Sequence, residues 1–215
     1  MNTTASGNGT PSLNGTPNGH TSWSGQLLLF ARNFVKHPNM IGWMFPSSQF
    51  VVDEVLKQID WANTRTIVEY GPGVGTFTRP ILQKMRPDAT LLAFETNDEF
   101  YSYLSRSLKD PRLRLLHQSA TEVNTTLQTL GLPAADCVIS GIPFKTLQED
   151  LRREIVRETY SALRPHGQFL VYQLSGAVRP YLERVFGRVE QDFELLNILP
   201  ARLFYCARGS AVNGQ

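Results

Sequence analysis

Cysteine is nearly absent. Two of the 215 residues are cysteines, Cys137 and Cys206, both in apolar segments and without metal-ligand spacing. Neither a disulfide scaffold nor a thiolate metal centre is expected. The pair reads as buried thiols in a reducing compartment, and no metal site is anticipated elsewhere. A surplus of one charge is also missing. Lys and Arg number 21 against 19 Asp and Glu, giving a net charge of +2. The resulting pI of about 8.6 is too mildly basic to argue for a nucleic-acid partner. Long apolar runs are lacking as well. None approaches the roughly 20 residues of a bilayer span. The first residues lack the basic-then-apolar order of a secretory signal. The expectation is a cytoplasmic chain, or one attached to a membrane surface without crossing it.

What the chain does have is length for one domain with a substantial core, and a 41% hydrophobic content typical of a soluble protein. Residues 1–23, beginning "MNTTASGNGTPSLNGTPNGHT", carry almost nothing to bury and read as a disordered tail. Residues 24–45 hold a helix and linker, 46–208 the folded domain and 209–215 a frayed tail. In the helix, "QLLLFARNFVKH" (26–37), Leu27, Phe30, Ala31, Phe34 and Val35 share one face. Gln26, Arg32, Asn33, Lys36 and His37 share the other, with Leu29 among them. Such a basic amphipathic helix suits the headgroup layer of an anionic bilayer, with Leu27, Phe30, Arg32, Phe34 and Lys36 as the contacts. It also suits a lid packed over the domain. Trp43, Met44 and Phe45 extend the same apolar surface. No obligate protein partner is evident.

From residue 64 onward, short β-rich runs alternate with helical segments. "TIVEY" (66–70), "TLLAFE" (90–95), "LRLLHQ" (113–118), "DCVIS" (136–140) and "QFLVYQL" (168–174) read as strands. Helices are expected from the glycine loop to Met85, from a cap at Asp98 to about Leu108, and over 149–163. "FELLNILP" and "RLFYCAR" read as two closing strands around a turn at Pro200–Ala201. This alternation implies an α/β, Rossmann-like, mainly parallel sheet with helices on both faces. Two successive strands at the end imply that the last runs antiparallel.

Ligands of such a sheet bind beyond the carboxyl ends of the strands. There the chain reads "VEYGPGVG" (68–75). A P-loop would need a Lys after its last glycine, and a dinucleotide loop would need Gly or Ala where Thr76 stands. The pattern is instead acid-x-G-x-G-x-G from Glu69 to Gly75. An acid at Glu69 would repel a pyrophosphate and suits a ligand carrying positive charge. The next strand ends in Glu95, a bidentate acceptor for two ribose hydroxyls. A tight structural turn with an exposed Glu would look similar. Taken with the strand order, the two acids describe a cationic nucleoside, and S-adenosylmethionine fits.

With these residues the sequence resembles the class I S-adenosylmethionine-dependent methyltransferases. Within them it is most similar to the bacterial phospholipid N-methyltransferases related to the ribosomal RNA adenine dimethylases. The resemblance covers about residues 25–208 and is carried by "MFPSS" (44–48), "VEYGPGVG", "AFE" (93–95), "VISGIP" (138–143) and "NILPARLFY" (197–205). It implies seven strands with the last antiparallel. It also implies cofactor contacts at Glu69, Gly71, Gly73, Gly75, Glu95, Asn97 and Ser140, with the adenine near Ser119 and Ala120. Ser47 and Ser48 fall where relatives bring a helix start near the cofactor's carboxylate, and "PSS" is also a plain N-cap.

The substrate class turns on "SGIPF" (140–144). Adenine methylases resemble Asn-[Ile/Leu/Pro]-Pro-[Phe/Tyr] here, the Asn accepting from the base amine and the ring stacking on it. Alignment on Pro143 puts Gly141 at the Asn position, while Phe144 keeps the ring. The phospholipid enzymes resemble Ser-Gly-[Leu/Ile]-Pro, which matches. The implied reaction is N-methylation of a phospholipid amine such as phosphatidylethanolamine. Another aminolipid, such as an ornithine lipid, a small amine or an RNA adenine are alternatives, as is a non-catalytic cofactor-binding module. Ser140, Gly141 and Phe144 are the candidate substrate-site residues, with Arg179 for a lipid phosphate. Tyr172, Tyr181 and His117 are candidate bases that spacing does not separate.

Overall fold

The apolar runs form the strands of one sheet. In this computed structural model, which describes residues 49–194 and 201–209, the strands are β1 (Thr66–Tyr70), β2 (Thr90–Phe94), β3 (Leu113–Leu116), β4 (Ala135–Ser140), β5 (Leu163–Gln173), β6 (Val189–Glu194) and β7 (Ala201–Ala207). Their order is β3-β2-β1-β4-β5-β7-β6. The first five pair in parallel. β7 runs antiparallel to both of its neighbours, β5 and β6. Every residue of β1 is buried, as a strand covered on both faces requires.

Helices α1 (Gln49–Leu56), α2 (Thr78–Lys84), α3 (Asp98–Ser107), α4 (Val123–Thr129), α5 (Glu149–Ala162) and α6 (Arg179–Phe186) occupy the connections. On one face, Val123 and Leu127 of α4, Ile155 and Val156 of α5 and Leu182 of α6 pack on Val68, Tyr70, Val138 and Val171. On the other, Val51, Val52, Val55 and Leu56 of α1 join Ile81 and Leu82 of α2 over Ile67, Leu91, Ile139 and Leu170. The fold is the Rossmann-like α/β sheet that strand–helix alternation implies. Cys137 and Cys206 are buried free thiols in β4 and β7, and desolvation pushes Cys206 up to about 12. Among the described residues no helix is long and apolar enough to cross a membrane.

Three local expectations need correction. The sixth strand is "VEQDFE" (189–194), earlier than the apolar run chosen from sequence, of which residues 195–200 lie outside the described residues. It is an edge strand paired only to β7, so it needs one apolar face at most and tolerates charge on the other. The cap of α3 is Asn97, not Asp98. Asn97 has the extended backbone of a cap and its Oδ1 accepts from the N–H groups of Glu99 and Phe100, while Asp98 begins the helix. Helices α4 and α6 were not anticipated. The first holds three Thr of low propensity in "VNTTLQT" and is fixed by burial of Val123 and Leu127. The expected helix at 26–37 lies outside the described residues, as do Leu27, Phe30, Arg32, Phe34, Lys36, Ser47 and Ser48.

Candidate active site

Strand order reverses between β1 and β4, which opens a crevice at their carboxyl ends. β1 delivers Glu69 and then the glycine loop; β2 delivers Glu95; β4 delivers Ser140 and Gly141. The loop turns through Gly71 and Gly73 at φ +70° and +58°, a region that side chains with a Cβ rarely adopt. Among the described residues nothing lies within 4 Å of where a Cβ on Gly73 would stand, so its backbone faces open space there. Gly75, at φ +85°, is constrained by packing as well: its Cβ would approach Leu104 to 3.0 Å.

The two acids are the electrostatic centre. Glu95 is 6% exposed. Its Oε2 accepts from the Gly73 N–H at 3.0 Å and its Oε1 from the Asn97 N–H at 2.8 Å. A carboxylate oxygen has two lone pairs, so each still has one for a further donor. Burial raises the Glu95 pKa against the opposing pull of the Asn97, Gly73 and Thr96 backbone N–H groups. Glu69 is 1% exposed, with one oxygen, Oε2, accepting from Thr78 Oγ1 at 2.8 Å. Its other oxygen, Oε1, is buried with no partner among the described residues. Burial, with Glu95 nearby adding repulsion, pushes Glu69 up to about 8. Two desolvated carboxyls facing one crevice, one with an orphaned oxygen, form a site complementary to a cation that can donate hydrogen bonds.

Other expected residues take other positions. Ser119 caps the turn Ala120–Glu122, and its hydroxyl oxygen accepts from the N–H and Oγ1 of Thr121. It stands at the end of β3, as the sequence implies, but its oxygen is already engaged. Ser140 is fully buried, and its Oγ accepts from the Ile142 N–H, shaping the turn. Phe144 is a correction: it has no exposed surface and belongs to the core beside α5 and β5, so its ring is not presented to a substrate. Arg179 is another. Its guanidinium bonds Glu183 at 2.7 Å, one helical turn on, and Gln191 at 3.1 Å, so it is committed to α6 and β6. Tyr181 packs at the core edge with Arg152 over its ring. His117 stacks on Tyr101 and faces Asp98.

Tyr172 is the residue that sequence spacing did not single out. It stacks on Phe77 with ring centroids 4.1 Å apart and lies alongside Gly141, where an added Cβ would come within 2.7 Å of its Cζ. Desolvation, then the nearby Glu69 and Glu95, raise its pKa well above the usual tyrosine value, so it is a neutral phenol. Thr78, which orients Glu69, also went unnoticed. Nothing in a helical "TRPILQK" marks one Thr as the partner of an acid nine positions earlier.

A model of the family described as ribosomal RNA adenine dimethylase matches residues 37–158. The chain belongs to the ribosomal RNA adenine dimethylase family. The chain is 28% identical over 182 residues to the ornithine lipid N-methyltransferase of Singulisphaera acidiphila, which spans 84% of this chain and 95% of that protein. To the ribosomal RNA small subunit methyltransferase A of Dehalococcoides mccartyi (strain BAV1) it is 26% identical over 114 residues, 53% of this chain but 38% of that protein. Among solved structures, the 16S rRNA N2 G1207 methyltransferase of T. thermophilus, in complex with AdoMet and guanosine, superposes with a TM-score of 0.54. It is 20% identical, over 74% of this chain and 42% of that one, a likeness of fold. The crevice fits the same cofactor: an orphaned acceptor at Glu69, spare lone pairs at Glu95 and open space at Gly73. S-adenosylmethionine is the cofactor of this methyltransferase.

If Glu69 meets the cofactor, binding depends on pH. The Glu69 carboxyl is ionised above about 4.5 when unfolded and above about 8 in the folded chain. Between these values the folded state holds the extra proton, so stability without cofactor falls as pH rises through that window. A bound cation favours the ionised form and draws the proton off. Affinity for S-adenosylmethionine is therefore expected to rise from pH 6 to about 8 and level off above it. Glu69→Gln should be weaker and should lack this component. Calorimetry in buffers of different ionisation enthalpy reads the proton release. The difference from Glu69→Gln removes the cofactor's own α-amino titration. Equal proton release by the two proteins would contradict the role of Glu69.

Proposed function

We propose that this S-adenosylmethionine-dependent N-methyltransferase acts on the amine of an aminolipid headgroup at a membrane surface, an ornithine lipid or phosphatidylethanolamine. The observation that carries this reading is Gly141. An enzyme that holds an adenine amine needs an acceptor side chain at this turn, and here the space is taken by the Tyr172 ring. A site that lacks a required hydrogen-bond partner loses orders of magnitude in discrimination. Likeness over 95% of the length of an ornithine lipid enzyme, against 38% of an RNA enzyme, supports the same choice.

When bound, S-adenosylmethionine supplies a methyl group on a cationic sulfur. The chain's part is to hold and orient. Glu95 takes the ribose hydroxyls, Glu69 and the glycine loop take the cationic end, and the turn at Ser119 and Ala120 flanks the base. Asn97 acts by fixing Glu95 from below through its N–H. A headgroup amine attacks only when neutral, and desolvation beside the cationic sulfur lowers its pKa. The test supplies labelled S-adenosylmethionine with ornithine-lipid liposomes, phosphatidylethanolamine liposomes or small-subunit RNA. Label in a lipid and none in RNA is expected; label in RNA alone would overturn the proposal.

The membrane part rests on the sequence pattern at residues 26–37. If that helix lies among the headgroups, each basic residue near an anionic surface contributes about 1 kcal/mol, screened by salt. Arg32→Glu with Lys36→Glu should reduce sedimentation with anionic liposomes. A helix serving as a lid would leave sedimentation unchanged and alter cofactor affinity instead.

A further inference from the structure

We infer that the Tyr172 hydroxyl is the hydrogen-bond acceptor for the substrate amine, standing in for the side chain that position 141 lacks. The inference rests on the aminolipid reading above and names the residue that recognises the amine.

Four observations converge on it. A Cβ at Gly141 would lie 2.7 Å from Tyr172 Cζ and nearer still to the hydroxyl oxygen. The phenol thus occupies the volume that a side chain at this strand end would fill, with an oxygen at its tip. The position is fixed. Register pairs Ser140 with Val171, so Gly141 and Tyr172 follow side by side, and the ring is clamped on Phe77 at an interplanar angle of 18°. The oxygen is available: Tyr172 is partly exposed, and its hydroxyl makes no hydrogen bond among the described residues. The setting keeps it neutral, because desolvation first, and then Glu69 and Glu95, oppose a phenolate. A neutral phenol oxygen accepts an N–H and takes no proton in doing so.

The chemistry suits a flexible aliphatic amine. A neutral primary amine has two N–H bonds and one lone pair in tetrahedral arrangement. Fixing one N–H on the phenol oxygen restricts where the lone pair points, which is the orientation that attack on a methyl group needs. The planar amine of adenine is held by a planar amide. An sp³ nitrogen needs one well-placed acceptor and room to turn, and a glycine beside a clamped phenol supplies both.

Tyr172→Phe removes this oxygen and keeps the ring on Phe77. The test compares the variant with wild type on liposomes of phosphatidylethanolamine and its monomethyl and dimethyl derivatives, whose neutral headgroups carry two, one and no N–H bonds. For the variant, kcat/KM on the primary amine is expected to fall roughly 10- to 100-fold, and on the tertiary amine to stay within about twofold. Cofactor affinity by calorimetry should be unchanged within about twofold. An equal loss on all three amines, or no loss on any, would overturn the role of Tyr172 while leaving the aminolipid reading intact. Wild-type protein that methylates RNA and none of the lipids would overturn that reading, and this inference with it.

Discussion

Glu95→Ala is expected to weaken S-adenosylmethionine binding by about 10²- to 10⁴-fold. The estimate counts two hydrogen bonds from ribose hydroxyls to a charged acceptor, each worth about 1.5–3 kcal/mol, at about 1.4 kcal/mol per tenfold. The loss has a second source. Glu95 also accepts the Gly73 N–H at 3.0 Å and the Asn97 N–H at 2.8 Å, so the substitution releases the glycine loop and the start of α3 together. Glu95→Gln should fall between the two proteins, since an amide keeps one acceptor oxygen but turns an N–H towards one of these two donors. Calorimetry reads both variants, with a thermal melt to show that they fold. Wild-type affinity in folded Glu95→Ala would refute the ribose role.

Gly141→Asn has the other large expected effect, and it separates two substrates. If the glycine marked a degenerate adenine site, restoring the amide would create some methyl transfer to RNA. The structure gives a different expectation. The new Cβ would meet Tyr172 Cζ at 2.7 Å, so the ring must leave Phe77 and surrender a stacked pair worth about 0.5–1.5 kcal/mol. Overpacking of this kind costs about 1–3 kcal/mol in stability. The variant should melt earlier, lose methyl transfer to lipid by at least about a hundredfold if Tyr172 binds the amine, and gain none to RNA. Transfer to RNA by this variant would reverse the ranking of substrates.

Much of this was legible in sequence, for physical reasons that also mark the limits. Strands buried on both faces must be continuously apolar, so "TIVEY" and "DCVIS" stand out. An acid at the end of such a strand has no packing reason to be there, so Glu69 and Glu95 stand out too. The glycines at 71, 73 and 75 were recognisable because the turn they make needs positive φ at each. Tyr172 was not separable from Tyr181, because an aromatic residue in β5 fits the core pattern equally well. Its role depends on the register between β4 and β5 and on a ring 95 positions away at Phe77, neither of which is local. Arg179 failed for a similar reason. Its partners Glu183 and Gln191 become visible only once α6 exists and β6 lies beside it. Phe144 shows the reverse error: the motif position was right, but the turn carries the ring into the core.

The most direct measurement is tandem mass spectrometry of lipid recovered after incubation of the protein with S-adenosylmethionine and liposomes carrying ornithine lipid and phosphatidylethanolamine. The expected product is a headgroup heavier by whole methyl increments, with the fragments placing them on the amine nitrogen, and absent when Glu95→Ala replaces the wild-type protein. Unmodified lipid in both samples, with methylated adenine in a parallel RNA incubation, would contradict the account.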